Sequence, residues 1–178
     1  SPSRSLRRRR QAPRIAGIRQ VINIDHHISN DHYGSLTLTD PGASSTGEMI
    51  FRLVEGMGLE ITKDMAVNLY TAILTDTGAF RYSNTGPQTF AVAGRLLEKG
   101  ADPAWIAQMV YETFPAAKIR LLSRALSTLE FDWQGRIAAV TVSKKMLDEA
   151  GAQWEHTEGF VEFPRSIEGV QVAAFFSE

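Results

Sequence analysis

A chain of 178 residues supports one domain, or a domain with part of a second, and is long enough to bury a real core. No run approaches the ~18 apolar residues of a membrane span, and with no cysteine present disulfides and thiolate metal sites are excluded, so any metal must be held by His and carboxylate. The net charge of −1 hides a division: Arg4, Arg7, Arg8, Arg9, Arg10, Arg14 and Arg19 precede every acid, which leaves 12 Lys and Arg against all 20 acids, about −8, for the rest.

The arginine run at 1–19 reads as a disordered basic tail or an out-of-context start, with a nucleic-acid arm or targeting segment as the functional alternative. No aromatic residue interleaves it, and no apolar periodicity organises it. A strand follows at about 20–25, carried by Val21, Ile22 and Ile24, and it ends abruptly in Asp25-His26-His27. Open α/β sheets place their ligands at that carboxyl end of a strand. After a polar stretch, Leu36–Thr39 alternates as a second short strand, closed by a turn at Asp40-Pro41-Gly42.

Ser45 and Glu48 have capping-box spacing before a helical stripe of Met49, Ile50, Leu53, Val54 and Met57, stopped by Gly58. A second helix starts at Thr62, carries Met65, Leu69 and Ile73 on one face, and stops at Gly78. Pro87 opens a third, which ends near Gly100, and Asp102-Pro103 caps a fourth. A helical run from Pro115 to about Glu130, with Ile119, Leu122, Ala125 and Leu126 apolar, suits a connection between lobes. Beyond Trp133-Gln134-Gly135 the pattern turns to a strand over 136–142, a short helix near 143–150 and a last strand near 170–176, with nothing after it to pair or cap it. The expected organisation is a basic tail at 1–19, a partial catalytic domain at 20–114, a linker helix at 115–132 and a partial second domain at 133–178.

His26, His27 and His32 fall close together, interleaved with Asp25 and Asp31, a clustering that core packing does not require. The set offers oxygen and nitrogen without sulfur, which leans toward hard or borderline ions such as Mn²⁺. Asp25 could equally cap a loop beside ordinary polar histidines. Asp76 tips the reading toward a metal. It follows Leu69 by seven positions and Ile73 by three, so it is expected on the buried stripe, at a helix C-terminus where the macrodipole disfavours an anion by ~0.3–1 kcal/mol. Such a carboxylate needs a cation, supplied by an ion shared with the Asp25-His26-His27 segment or, more plainly, by Arg81.

Four segments in order carry a family resemblance: Val21 to His27; Gly42-Ala-Ser-Ser-Thr-Gly47-Glu48; Leu74-Thr-Asp76-Thr-Gly78-Ala-Phe80-Arg81-Tyr-Ser-Asn-Thr85; and Arg165 to Phe176. Together they resemble the DHH/DHHA1 phosphoesterases, within them the bacterial group that joins oligoribonuclease activity with 3′-phosphoadenosine-5′-phosphate phosphatase activity. The resemblance implies an α/β fold with a parallel-sheet catalytic lobe, a linker helix and a smaller α/β substrate lobe. It also implies a two-manganese centre that hydrolyses short RNA or DNA oligonucleotides or a nucleoside bisphosphate. His26 and Asp76 then match metal ligands, His27 faces the scissile phosphate, and Asp25 orients the imidazoles. Arg81 is a phosphate clamp or an ordinary surface ion pair. Ser44 and Ser45 are candidates for substrate contact, with helix capping favoured by position. A cytoplasmic protein is implied, with no membrane partner and a homodimer allowed.

The family's upstream metal motifs and its glycine-rich ending have no counterpart here: residues 1–24 contain no Asp, Glu or His, and no Gly-Gly pair occurs. Only part of the catalytic lobe is therefore expected, with weak Mn²⁺ binding and negligible turnover. Other members of the superfamily supply alternatives, namely a single-strand exonuclease, a cyclic-dinucleotide phosphodiesterase or a pyrophosphatase. A non-catalytic nucleotide-binding or nucleic-acid-binding module is the alternative of a different class.

Overall fold

The computed structural model describes residues 20–178, and the expected basic tail at 1–19 lies outside the described residues. The chain divides after Ala107 into two compact units.

In the first unit, β1 (Ile22–Asp25) pairs in parallel with β2 (Leu36–Thr39), Ile22 opposite Leu36 through Asp25 opposite Thr39. The expectation of an apolar face turned inward is reversed on β1: Asn23 and Asp25 are buried, whereas Ile22 is 66% exposed. The inward face tolerates polar side chains because they satisfy one another. Asn23 Nδ2 donates to Asn30 Oδ1 at 2.7 Å, and Asn30 Nδ2 donates to Asp25 Oδ2 at 2.7 Å.

Helix α1 (Thr46–Gly56) begins as its sequence predicts, with Ser45 Oγ accepting from Glu48 N at 3.1 Å. Its buried face is not the predicted stripe. Gly47, Glu48, Met49 and Phe51 are buried, while Leu53 and Met57 are exposed. The reason is the close approach of α2 (Lys63–Asp76): a Cβ on Gly47 would sit 2.8 Å from Ala72 Cβ and 3.2 Å from the Leu69 carbonyl oxygen. A residue without a side chain sets which face packs. Helix α2 starts on Thr62, whose hydroxyl accepts from Met65 N, and buries Ala66, Leu69, Tyr70, Ile73 and Leu74. Helix α3 (Pro87–Glu98) buries Val92, Ala93 and Leu96, and its Arg95 lies over the Phe51 ring and pairs with Glu55. Helix α4 (Pro103–Tyr111) is capped by Asp102 Oδ1, which accepts from Ala104 N and Trp105 N.

The second unit holds α5 (Ala116–Leu126), β3 (Glu130–Asp132), β4 (Ile137–Val142), α6 (Lys144–Ala150), a 3₁₀ turn at Trp154–Thr157, α7 (Glu162–Arg165) and β5 (Val172–Ser177). The helix expected as a linker contributes Leu121 and Ala125 to this unit's core, with Val142, Leu147, Ala150 and Phe160. It also ends earlier than its pattern suggests, because residues 130–132 form β3, antiparallel to β4. Trp133, Gln134 and Gly135 all have positive φ and turn the chain between the two strands. The last strand finds a partner: β5 runs parallel to β4 from Val172 opposite Ile137 to Ser177 opposite Val142.

Candidate functional site

The strands β1 and β2 are parallel neighbours joined by residues 26–35 without a helix, so this connection must curl over the strand ends. It begins with the two histidines and is pinned by Asp25. One carboxylate oxygen of Asp25 accepts from His27 N at 3.2 Å and from His27 Nδ1 at 2.6 Å, and the other accepts from Asn30 Nδ2. A carboxylate oxygen can only accept, so Nδ1 of His27 carries a proton and the ring orientation is fixed. Burial of Asp25 pushes its pKa up, but the bonds from the His27 side chain, Asn30 and the His27 backbone outweigh it and hold the group at about 2. Asp25 is thus an anion that orients an imidazole.

His26 is held in a complementary way. Its Nδ1 lies 3.2 Å from the Ala43 carbonyl oxygen, to which it donates, and its Nε2 lies 3.5 Å from Asp76 Oδ2. The two imidazoles meet edge to face, with centroids 4.4 Å apart at 61°. Asp76 is the last residue of α2 and its side chain is 38% exposed, half-buried rather than buried, while Leu69, Ile73 and the following Thr77 are buried. The neighbour this carboxylate meets is the His26 ring.

Arg81 does not neutralise Asp76. Its Nε donates to the Gly78 carbonyl at 2.6 Å, whereas the carboxylate faces His26 Nε2. Ser44 and Ser45, the candidates for substrate contact, are both fully buried beneath the start of α1. Ser45 caps α1, whereas Ser44 donates from both N and Oγ to Glu48 Oε2, at 3.1 and 2.6 Å. The reciprocal half of the expected capping box therefore goes to Ser44 rather than to Ser45. Asp31 and His32 are exposed and stand apart from the pair.

Three functional positions were missed in the sequence. Asn30 and Glu48 are buried polar residues whose partners make the site rigid, and Asn84 reaches back to both Ser44 and Asp76. Asn23 within an apolar strand run was a usable signal for a polar network, and capping-box spacing marked Glu48 but not its bond to Ser44; nothing local marked Asn84.

No group of three or more His, Asp or Glu side chains converges on one point among the described residues. Two do, and they fit a cation. With Nδ1 of His26 donating to Ala43, the Nε2 lone pair faces a carboxylate across 3.5 Å, a separation with no hydrogen bond to explain it. Ligands about 2.1 Å from a shared ion lie about 3.4 Å apart in tetrahedral geometry and about 3.0 Å apart in the octahedral geometry usual for Mn²⁺, so the pair is slightly wider than either spacing. Thr39 Oγ1, in register with Asp25, is buried without a hydrogen-bond partner among the described residues, and so is Thr85 Oγ1. Unpaired hydroxyls of this kind mark places for water or ligand.

No family model matches the chain. It is 37% identical over 155 residues to the bifunctional oligoribonuclease and PAP phosphatase NrnA of Thermus thermophilus, covering 87% of this chain and 46% of that protein. The protein of the same name from Bacillus subtilis is 30% identical, with 89% and 51% covered. The solved structure of an exopolyphosphatase-related protein from Bacteroides fragilis superposes with a TM-score of 0.89 at 31% identity, over 95% of this chain and 51% of that one. The chain spans about half the length of the curated relatives it matches.

Proposed function

The chain belongs to the DHH phosphoesterases, and from that premise we propose that it carries part of a metal-dependent centre that hydrolyses phosphoester bonds of short oligonucleotides or of PAP. The observation that carries the reading is the His26–Asp76 pair, with one imidazole nitrogen committed to Ala43 and the other aimed at a carboxylate.

In this reading His26 Nε2 and Asp76 Oδ2 hold a divalent cation, with Mn²⁺ the ion favoured by a mixed nitrogen and oxygen set. When bound, such an ion lowers the pKa of a coordinated water and neutralises charge on phosphoryl oxygens. The protein's own groups do the rest. Asp25 fixes the tautomer of His27, so the imidazole presents Nε2 toward the phosphoryl group, where a proton can be received or returned. Arg81, its Nε tied to Gly78, presents the end of its guanidinium for bidentate contact with a phosphate. The substrate class follows the names of the relatives, and Mn²⁺ the chemistry of the donor set; no helix among the described residues is long and apolar enough to cross a membrane.

Two side-chain donors hold an ion loosely, so the chain should bind Mn²⁺ weakly and release mononucleotide from a dinucleotide slowly. His27→Ala should lower that residual rate by ~10²-fold or more, the usual contribution of a proton-transfer group. Brisk manganese-dependent cleavage that survives His27→Ala would overturn the assignment.

A further inference from the structure

The two candidate ligands lie on segments far apart in sequence, His26 after β1 and Asp76 at the end of α2, and one side chain ties them together. Asn84 Nδ2 donates to the Ser44 carbonyl at 2.8 Å and to the Asp76 carbonyl at 3.2 Å, which uses both N–H groups of the carboxamide. Ser44 follows Ala43, whose carbonyl accepts from His26 Nδ1. The contacts close a ring: from His26 to Ala43, through the peptide to Ser44, across Asn84 to Asp76, and over 3.5 Å back to His26.

Each side of the ring has a reason to be rigid or to need holding. Ser44 is anchored by its two bonds to Glu48, a carboxylate 2% exposed, which Thr89 Oγ1 also approaches at 3.4 Å. Asp76 ends a helix whose last carbonyls need partners: those of Ile73, Leu74 and Thr75 accept from Thr77 N, Ala79 N and Gly78 N, and that of Asp76 accepts from Asn84. Just beyond it Gly78, Ala79 and Phe80 take φ of 56°, 60° and 61°, a left-handed stretch that L side chains avoid. The turn is held locally by bonds around Thr77, and the carboxamide is what ties it to the anchored Ser44. Strain of this kind beside a site is retained where the surrounding structure fixes it.

We propose that Asn84 is a positioning residue: by bridging the Ser44 and Asp76 carbonyls it sets the His26–Asp76 spacing, and with it the affinity and geometry of cation binding. This rests on the reading that those two side chains hold a divalent ion. The test uses the whole chain, Mn²⁺ titrations followed by electron paramagnetic resonance, and the visible spectrum of bound Co²⁺. Asn84→Asp replaces two donors by acceptors that face two carbonyls, and Asn84→Gln keeps the donors one methylene further out. The expected result is at least a tenfold loss of Mn²⁺ affinity and an altered Co²⁺ spectrum in Asn84→Asp, both partly restored in Asn84→Gln. A wild-type Co²⁺ spectrum with affinity within twofold in Asn84→Asp overturns this inference alone. Ion binding by the wild type that does not depend on His26 overturns the site and the inference together. A readout without variants covers a failure to fold: in the wild type, solvent exchange of the Asn84 carboxamide protons should slow at least threefold on saturation with Mg²⁺. Exchange at the rate of an exposed amide, unchanged by the ion, contradicts the proposal.

Discussion

Asp25 has more of its hydrogen-bonding capacity satisfied than its short side chain would suggest, and its acidity records this. Burial alone would raise its pKa, but the donors from His27 and Asn30 bring it from 3.8 to about 2. A folded-state value below the unfolded one stabilises the protein above about pH 4, and the contribution fades as pH falls toward 2. The shift corresponds to on the order of 2 kcal/mol. Urea unfolding of the metal-free protein should therefore lose stability between pH 4 and pH 2, and Asp25→Asn should flatten the curve in that window; an equal slope in both proteins would refute the assignment. Ser45→Ala removes a cap and should lower stability by about 1 kcal/mol. Ser44→Ala removes the shortest bond to a buried carboxylate, leaving Ser44 N and the more distant Thr89 Oγ1, and should cost about 1.5–3 kcal/mol. Equal effects of the two changes in thermal unfolding would contradict the division of labour between the serines. At this scale Asp25, His26 and His27 were legible because they are contiguous at a strand end. Asn84 was not, since it meets Ser44 across 40 residues and no local pattern encodes that.

Among the elements, α1 and α2 depend on a residue without a side chain. Gly47→Ala would place a methyl carbon 2.8 Å from Ala72 Cβ and tight against the Leu69 carbonyl, so the helices must separate. We expect a loss of about 1–3 kcal/mol, read as a lower midpoint in thermal unfolding; an unchanged midpoint would show that the helices can shift apart without penalty. Helix starts were readable from Ser45, Thr62, Pro87 and Asp102, because caps act through the next three residues. The buried face of α1 was misread, because Leu53 and Met57 fit a helical period while the true face is chosen by how near Gly47 lets α2 approach. β3 was hidden for a different reason. It is three residues long, half of a hairpin whose turn is made by Trp133, Gln134 and Gly135.

Across the whole molecule, two compact units divide the chemistry: the His26–Asp76 pair belongs to the first, while the second is built on the parallel pairing of β4 and β5. The α/β class and the order of elements followed from period and punctuation, whereas α5 joined the second unit because Leu121 and Ala125 fill its core. The central claim is that His26 and Asp76 form one cation site. A double-mutant cycle of Mn²⁺ affinity on the whole chain with His26→Ala, Asp76→Ala and both together tests it most directly. A shared ion predicts that either single change removes most of the binding and that the double change removes little more. Losses that simply add, or an affinity indifferent to both residues, would contradict it.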